Sequence, residues 1–411
     1  MDSFLPRAND ICFCGCLRSL AETTTNIYPL LYNWENSNPW FSDHSKELKE
    51  KFNVPNPFDD LLGFTSSIKN ISKEKNLKTP LYIPTSDTNL MAAKQDNSLS
   101  KFLKFFGNKK NNKLINEVIS KFSMYRFLKK NDIFTPKTVL LKKTSLFNEN
   151  KVKGLNFPIV FKPNEKDYNQ SFYLLANGLK AVKCSNLEEL KKKIKSFSNY
   201  IGELVIQEYI PFNTKSDELP FYASTDNYGN IRAQTCAIKH LVTPKSFGTA
   251  YILGIKKAPN EIKKIAHKII KLLNWSGPIM IEFIKHEKSG KWYVIEINGR
   301  PWLMIDFFRR VGFNFLKSFF EKTSNDDVWE PQKKDELKLH VDYSKVFFNH
   351  LKNSNFKAIE KEMDNLNSTI SFTYFDPNDP NPGYAEINYN SKKYNLKEKQ
   401  LLQLIEKFAS F

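Results

Sequence analysis

Apolar positions recur along the chain at two spacings, and each spacing predicts a different element. In 10–16, Cys12, Cys14 and Cys16 fall at alternate positions, which share one face of a strand, so this segment reads as a buried first strand. Leu81-Tyr-Ile-Pro-Thr-Ser-Asp87 reads as another strand, ending in a polar turn. Between them, 33–80 is rich in Asn, Ser, Lys and Pro and poorly periodic. This first region reads as an open α/β layer whose strand ends carry polar loops.

From Lys113 the spacing becomes helical. Leu114, Val118 and Phe122 fall at i, i+4 and i+8, with Ile115 and Ile119 beside them. Asp132-Ile-Phe-Thr-Pro136 ends that helix, because Pro disfavours helix in the residue before it. Strands are expected at 139–141, at 157–163 between two prolines, at 178–183 and at 204–210. Ser185-Asn-Leu-Glu188 has capping-box spacing and opens an amphipathic helix through Leu187, Leu190, Ile194 and Phe197. Asp226-Asn-Tyr-Gly229 is a turn between strand-like runs. Ile262, Ile265, Ile269 and Leu272 mark another helix, followed by strands at 279–284 and 292–297 around a polar loop with Ser289 and Gly290. Beyond about 325 the pattern weakens and charge rises, up to a final helix from about Leu396. The expected division is 1–112, 113–325 and a C-terminal appendage, 326–411, which suits 411 residues at roughly 150 per domain.

Composition narrows the classes. Ordinary apolar and charged fractions exclude wholesale disorder and a disulfide-stapled miniprotein. The net charge is +18, yet only seven of 62 basic residues are Arg. No Arg cluster interleaves with aromatics, which argues against nucleic acid as partner and for a lysine-coated surface attractive to small anions. Five Cys without a signal-peptide pattern predict free thiols in a reducing, cytoplasmic setting. No apolar stretch approaches the roughly 18 residues of a membrane span.

The chemistry concentrates at 279–298. Glu282 lies on the face of its strand opposite Ile279, Ile281 and Phe283, and Glu296 shares a face with Val294 and Asn298. Their midpoint falls in the polar loop, so the two carboxylates should face each other on paired antiparallel strands. Like charges so placed repel, and a cation between them is required. Oxygen donors without His or Cys suit Mg²⁺, which normally also holds phosphates. Pairing of Glu282 and Glu296 with Lys285 or Lys291 on a solvated face is the plainer alternative, weakened by the apolar run around Glu296. Lys162 at a strand end, Lys239 and Arg300 are the candidate phosphate partners.

These pieces together resemble an ATP-grasp enzyme over about 81–320, nearest the biotin-carboxylase-like and D-aspartate-ligase-like branch of carboligases. Ile83-Pro-Thr-Ser-Asp87, Lys121, Val160-Phe-Lys162-Pro163, Val205-Ile-Gln-Glu-Tyr-Ile210, Ile238-Lys239-His and Glu282-Phe with Glu296-Ile-Asn298-Gly-Arg300 run in family order. The resemblance implies an N-terminal α/β domain followed by a two-lobed ATP-grasp fold. It further implies adenine on the backbone of 208–210 (Glu208, Tyr209, Ile210), with Gln207 or Glu208 meeting its amino group. Lys121 and Lys162 would take the α- and β-phosphates and Lys239 the transferred phosphate. Glu282, Glu296 and Asn298 would bind Mg²⁺, or Mn²⁺ in its place. Arg300 would hold a carboxylate or acyl phosphate. The implied reaction is ATP-dependent ligation of a carboxylate to an amine, releasing ADP and phosphate.

The sequence departs from the family in having no glycine between Asn164 and Ala176, leaving Asn164, Lys166, Asn169, Gln170 and Ser171 to cover phosphates. Ser120 stands where an acid is common, and 10–80 lacks a glycine-rich first turn. Carboxylation with bicarbonate, and nucleotide or nucleic-acid binding without turnover, are the alternatives. The acid, the amine and the oligomeric state, a homodimer among the options, stay open. Arg309 and Arg310 are expected to cap their helix, and Trp302 to pack beneath the metal strands.

Overall fold

In the computed structural model, which describes residues 1–32, 39–107, 118–165, 171–245, 247–320 and 328–409, the strands form three sheets. The first is parallel, with order β3-β2-β1-β4, from β1 (Asp2–Pro6), β2 (Asn26–Leu31), β3 (Phe52–Asn53) and β4 (Leu81–Tyr82). This is the expected open α/β layer, but its first strand lies earlier than expected. Residues 10–16 belong instead to the helix Asp10–Ala21. Asn9 caps it, accepting from the Cys12 amide, and Asp10 sits in its first turn. The helix is buried continuously from Cys12 to Leu20, so no polar face betrays its period. All five Cys are free and buried.

The second sheet is antiparallel, with order β5-β8-β6-β7, from β5 (Thr138–Leu141), β6 (Ile159–Pro163), β7 (Val182–Cys184) and β8 (Leu204–Glu208). Its apolar face packs Phe161, Phe172, Leu190, Ile194 and Ile206 into one cluster. The strand expected at 178–183 is displaced because Asn177 and Gly178 both adopt positive φ and make a turn there. Asn186, one residue later than expected, caps the helix Leu187–Ser196, and Glu189 reaches back to the Ser185 amide.

The third sheet has order β13-β12-β9-β10-β11-β14-β15. It comprises β9 (Glu218–Thr225), β10 (Ile231–Thr243), β11 (Thr249–Lys256), β12 (Gly277–Lys285), β13 (Trp292–Asn298), β14 (Lys338–Val341) and β15 (Thr369–Phe372). Pairing is antiparallel except between β14 and β15. The helix Asn260–Leu273 lays Ile262, Ala266, Ile269, Ile270 and Leu273 into the core, leaving Leu272 outside. The final helix is Glu398–Phe408. No helix among the described residues is long and apolar enough to cross a membrane.

The helix expected from Lys113 is interrupted. Leu114 and Ile115 lie outside the described residues, and Ser120 is extended, capping a separate helix, Lys121–Lys130, whose inner face is Met124, Tyr125 and Leu128.

Candidate active site

β12 and β13 pair with Glu282 directly opposite Glu296. Immediately beyond, the register slips, and Phe283 pairs with Val294. Ile295 is therefore the extra residue of a β-bulge, a device that re-aims side chains beside active sites. The slip corrects one expectation: Val294 turns into the core with Phe283 instead of sharing the face of Glu296. It also frees the carbonyl of Ile295, which accepts from the Tyr125 hydroxyl at 2.7 Å. The same hydroxyl lies 3.0 Å from Gln207 Oε1 and shares its one proton between the two oxygens, joining the β5–β8 sheet to the seven-stranded one.

Each facing carboxylate has a lysine. Lys239 Nζ reaches from β10 across β9 to Glu282 Oε2 at 3.2 Å and also holds Glu218 Oε1 at 2.9 Å. Lys121 Nζ lies 3.7 Å from Glu296 Oε1. Lys162, at the end of β6, sits 5.9 Å from the Tyr125 ring centre. Asn164 fixes the neighbouring backbone. Its carbonyl accepts from the Lys121 amide, its Oδ1 from the Phe122 amide and its Nδ2 donates to Glu203. That side chain, one of those considered for the phosphate cover, is thus spent on positioning Lys121. Lys166, Asn169 and Gln170 lie outside the described residues, and Ser171 opens a short helix.

Burial shapes the charges. Desolvation pushes Lys121 below the ordinary lysine value, reinforced by Lys162 and opposed by Glu296. Lys162 is lowered by desolvation too, against Glu296 and Glu282. For Lys239 desolvation also pulls downward, but Glu282 and Glu218 together overcome it and raise the value.

Arg300 follows β13. Its Nε and Nη2 grip Asp87 Oδ1 and Oδ2 at 2.6 and 2.8 Å, and Nη2 also approaches Asn298 Oδ1 at 3.3 Å. Asp87 opens the helix Asp87–Gln95 beside β4, so the planar fork joins the parallel sheet to the end of β13. Asn298, opposite Met280, is buried beside the carboxylate pair.

Two observations decide the fold: this arrangement of sheets, and its likeness to solved structures. N5-carboxyaminoimidazole synthetase from Staphylococcus aureus superposes with a TM-score of 0.56 at 12% identity, over 78% of this chain and 76% of that one. The fold is ATP-grasp. Biotin carboxylase from Campylobacter jejuni, solved as a β-γ-ATP complex, gives 0.54 at 14% identity over 77% and 69%. L-amino acid ligase from Bacillus licheniformis gives 0.53 at 16% over 77% and 72%. No protein-family model and no curated protein sequence matches the chain.

Residues 207 and 208 end β8, and 209–210 begin the connection from that sheet to β9 of the seven-stranded one. Gln207 is buried with its oxygen taken by Tyr125. Glu208 Oε1 accepts from the Asn156 amide and side chain, both at 2.9 Å. The Glu208 and Tyr209 amides donate to the Lys137 and Pro158 carbonyls. Lys183 Nζ lies 3.8 Å over the Tyr209 ring, and Ile210 is buried. Thus Lys239 contacts Glu282 and Lys121 approaches Glu296, the cross-strand partner of Glu282, while Arg300 contacts Asn298 two residues further along β13, and both glutamates act on Lys162.

Glu282 and Glu296, facing in register, and Asn298 offer two carboxylates and an amide oxygen, donors of the kind a hard divalent cation takes; no group of three or more His, Cys, Asp or Glu placed to hold a metal occurs among the described residues. Sequence reasoning passed over Glu218 and Tyr125 as site residues. Neither carries a motif; only the spatial approach of β9, β10 and β13 reveals them. Trp302 packs on Tyr222 with ring centres 4.7 Å apart, in the core as expected. Arg309 pairs with Asp306, Glu22 and Asp376, and Arg310 donates to the carbonyls of Phe372 and Phe375, so both tie the C-terminal region down as well as ending their helix.

Proposed function

We propose that the protein is an ADP-forming ligase that activates a carboxylate as an acyl phosphate for attack by an amine. The observation that carries this reading is the in-register Glu282–Glu296 pair ringed by Lys121, Lys162 and Lys239. Glu282, Glu296 and Asn298 would hold Mg²⁺, which neutralises charge on the β- and γ-phosphates. Lys121 and Lys162 bind the phosphate chain from the β5–β8 lobe, and Lys239 meets the transferred phosphoryl group from β10. The 207–210 segment supplies the backbone against the adenine. A substrate carboxylate oxygen attacks the γ-phosphorus and ADP departs. The amine nitrogen then attacks the acyl carbon, phosphate leaves and the nitrogen loses a proton. Arg300, aimed by Asp87, places positive charge beside Asn298 for the oxygens of the acid or acyl phosphate.

Bicarbonate as the acid is a second reading, favoured by the likeness to a biotin carboxylase and an N5-carboxyaminoimidazole synthetase. Release of ADP and phosphate by purified protein with Mg²⁺ tests both, screened against pooled carboxylic acids with amines and, separately, against bicarbonate. Substrate-dependent ADP is expected from one pool. Unchanged turnover in Glu296→Ala overturns the metal assignment. Salt-sensitive RNA binding with no ADP from any pool overturns the ligase reading.

A further inference from the structure

Lys239 is engaged more tightly than a phosphate ligand needs to be. Its ammonium bridges Glu218 and Glu282 at 2.9 and 3.2 Å, and only 17% of the side chain is exposed. Glu282 is one of the two carboxylates that fit the cation, and its Oε2 is the oxygen Lys239 holds. A compact ammonium and a divalent cation seek the same oxygens, and charge-assisted contacts of this length are the strong ones. Lys121 stands in the same relation to Glu296, but more loosely, at 3.7 Å.

We infer that Lys239, and more weakly Lys121, compete with the divalent cation for the glutamate pair, so that the metal binds tightly only once a nucleotide has drawn the lysines away. This rests on the nucleotide-binding reading above. A bare cation must displace ammonium groups from Glu282 and Glu296 and offers them no new anionic partner. A nucleotide offers them phosphate oxygens, and the carboxylates pass to the metal. Glu218 anchors Lys239 during the exchange, because it touches the ammonium without belonging to the facing pair. The coupling is reciprocal, as any linkage between binding sites must be.

The test is Mn²⁺ binding to the full chain, followed by the electron paramagnetic resonance signal of free Mn²⁺, with and without ADP. Wild type should bind Mn²⁺ weakly alone and at least about tenfold more tightly with ADP. Lys239→Met should tighten binding of Mn²⁺ alone by about tenfold, weaken binding of ADP, and shrink the coupling between them. Lys121→Met should act in the same direction by about threefold. Lys285→Met, which removes a charge elsewhere on β12, should change Mn²⁺ affinity less than about twofold. Unchanged or weaker Mn²⁺ binding in both Met variants overturns the inference while leaving the ligase reading intact. Wild type that binds Mn²⁺ equally with and without ADP also overturns it. Failure of wild type to bind ADP under any condition removes the nucleotide reading and the inference together.

Discussion

At the scale of single residues, the site is a balance between burial and pairing. Lys121 and Lys162 are held below the ordinary lysine value of 10.5 because water is excluded around them and the glutamates repay only part of that loss. In the role proposed for them, gripping the phosphates, both lysines must be charged. Affinity for ADP, measured calorimetrically across alkaline pH, should therefore begin to fall below 10.5, and Lys162→Met should flatten that dependence. The stability term has the opposite sign. A lysine whose folded value is depressed destabilises the fold while it is forced to stay charged, and the cost fades as pH rises through the depressed value. Tyr125 acts without charge. Its one hydroxyl proton is shared between the bulged Ile295 carbonyl at 2.7 Å and Gln207 Oε1 at 3.0 Å, so Tyr125→Phe removes the donor that serves this buried pair of acceptors. Urea unfolding should show a loss of about 1–3 kcal/mol. The glutamate pair could be read from sequence because loop symmetry sets register in a short hairpin. The bulge could not, since Val294, Ile295 and Ile297 are all apolar and give no sign of which one is skipped.

At the scale of elements, legibility follows amphipathicity. The helices Leu187–Ser196 and Asn260–Leu273 have one wet face, and their apolar spacing located them to within a residue or two. The helix Asp10–Ala21 has no wet face over most of its length, and its alternating Cys mimic a strand. What the sequence does hold there is a cap, Asn9, and Gly15, whose role lies in packing. A Cβ at Gly15 would stand 2.9 Å from Ile305 Cγ2 and 3.2 Å from the Asp306 backbone nitrogen. The close approach lets this helix pack on Ile305–Val311, the helix that follows the Arg300 loop. Gly15→Ala should gain helix propensity and still lose about 1–3 kcal/mol in urea unfolding, because backbone cannot yield as a side chain would. Gly15→Ala more stable than wild type would mean that the two helices are free to separate.

At the scale of the whole molecule, one buried arginine ties the chain's beginning to its end. Arg18, 3% exposed, donates to Asp306, to the side chain and backbone of Asp379, and to the Tyr374 carbonyl. Asp379 in turn accepts from Ser45 and the Lys46 amide. The segment 374–379 thereby locks onto the N-terminal region, while β14 and β15 form one edge of the seven-stranded sheet that carries Glu282 and Glu296. Weak periodicity beyond 325 hid this, because these residues are ordered by contacts hundreds of positions away, not by a local pattern. Burial alone would raise Asp306, but Arg18, Arg310 and Arg309 outweigh it and hold the carboxyl well below its ordinary value of 3.8. A depressed carboxyl contributes stability above its unfolded value and surrenders it as pH falls through the folded one. Arg18→Met should therefore cost about 3–5 kcal/mol at neutral pH, since buried Asp379 loses the arginine paired with it and Asp306 keeps only Arg309 and Arg310. The gap from wild type should narrow in strong acid, below 3.8, where wild type loses the same contribution. Thermal unfolding of both proteins across that range measures the gap. A difference that is small at neutral pH, or that does not change with pH, would show that Arg309 and Arg310 carry Asp306 without help from the N-terminal helix.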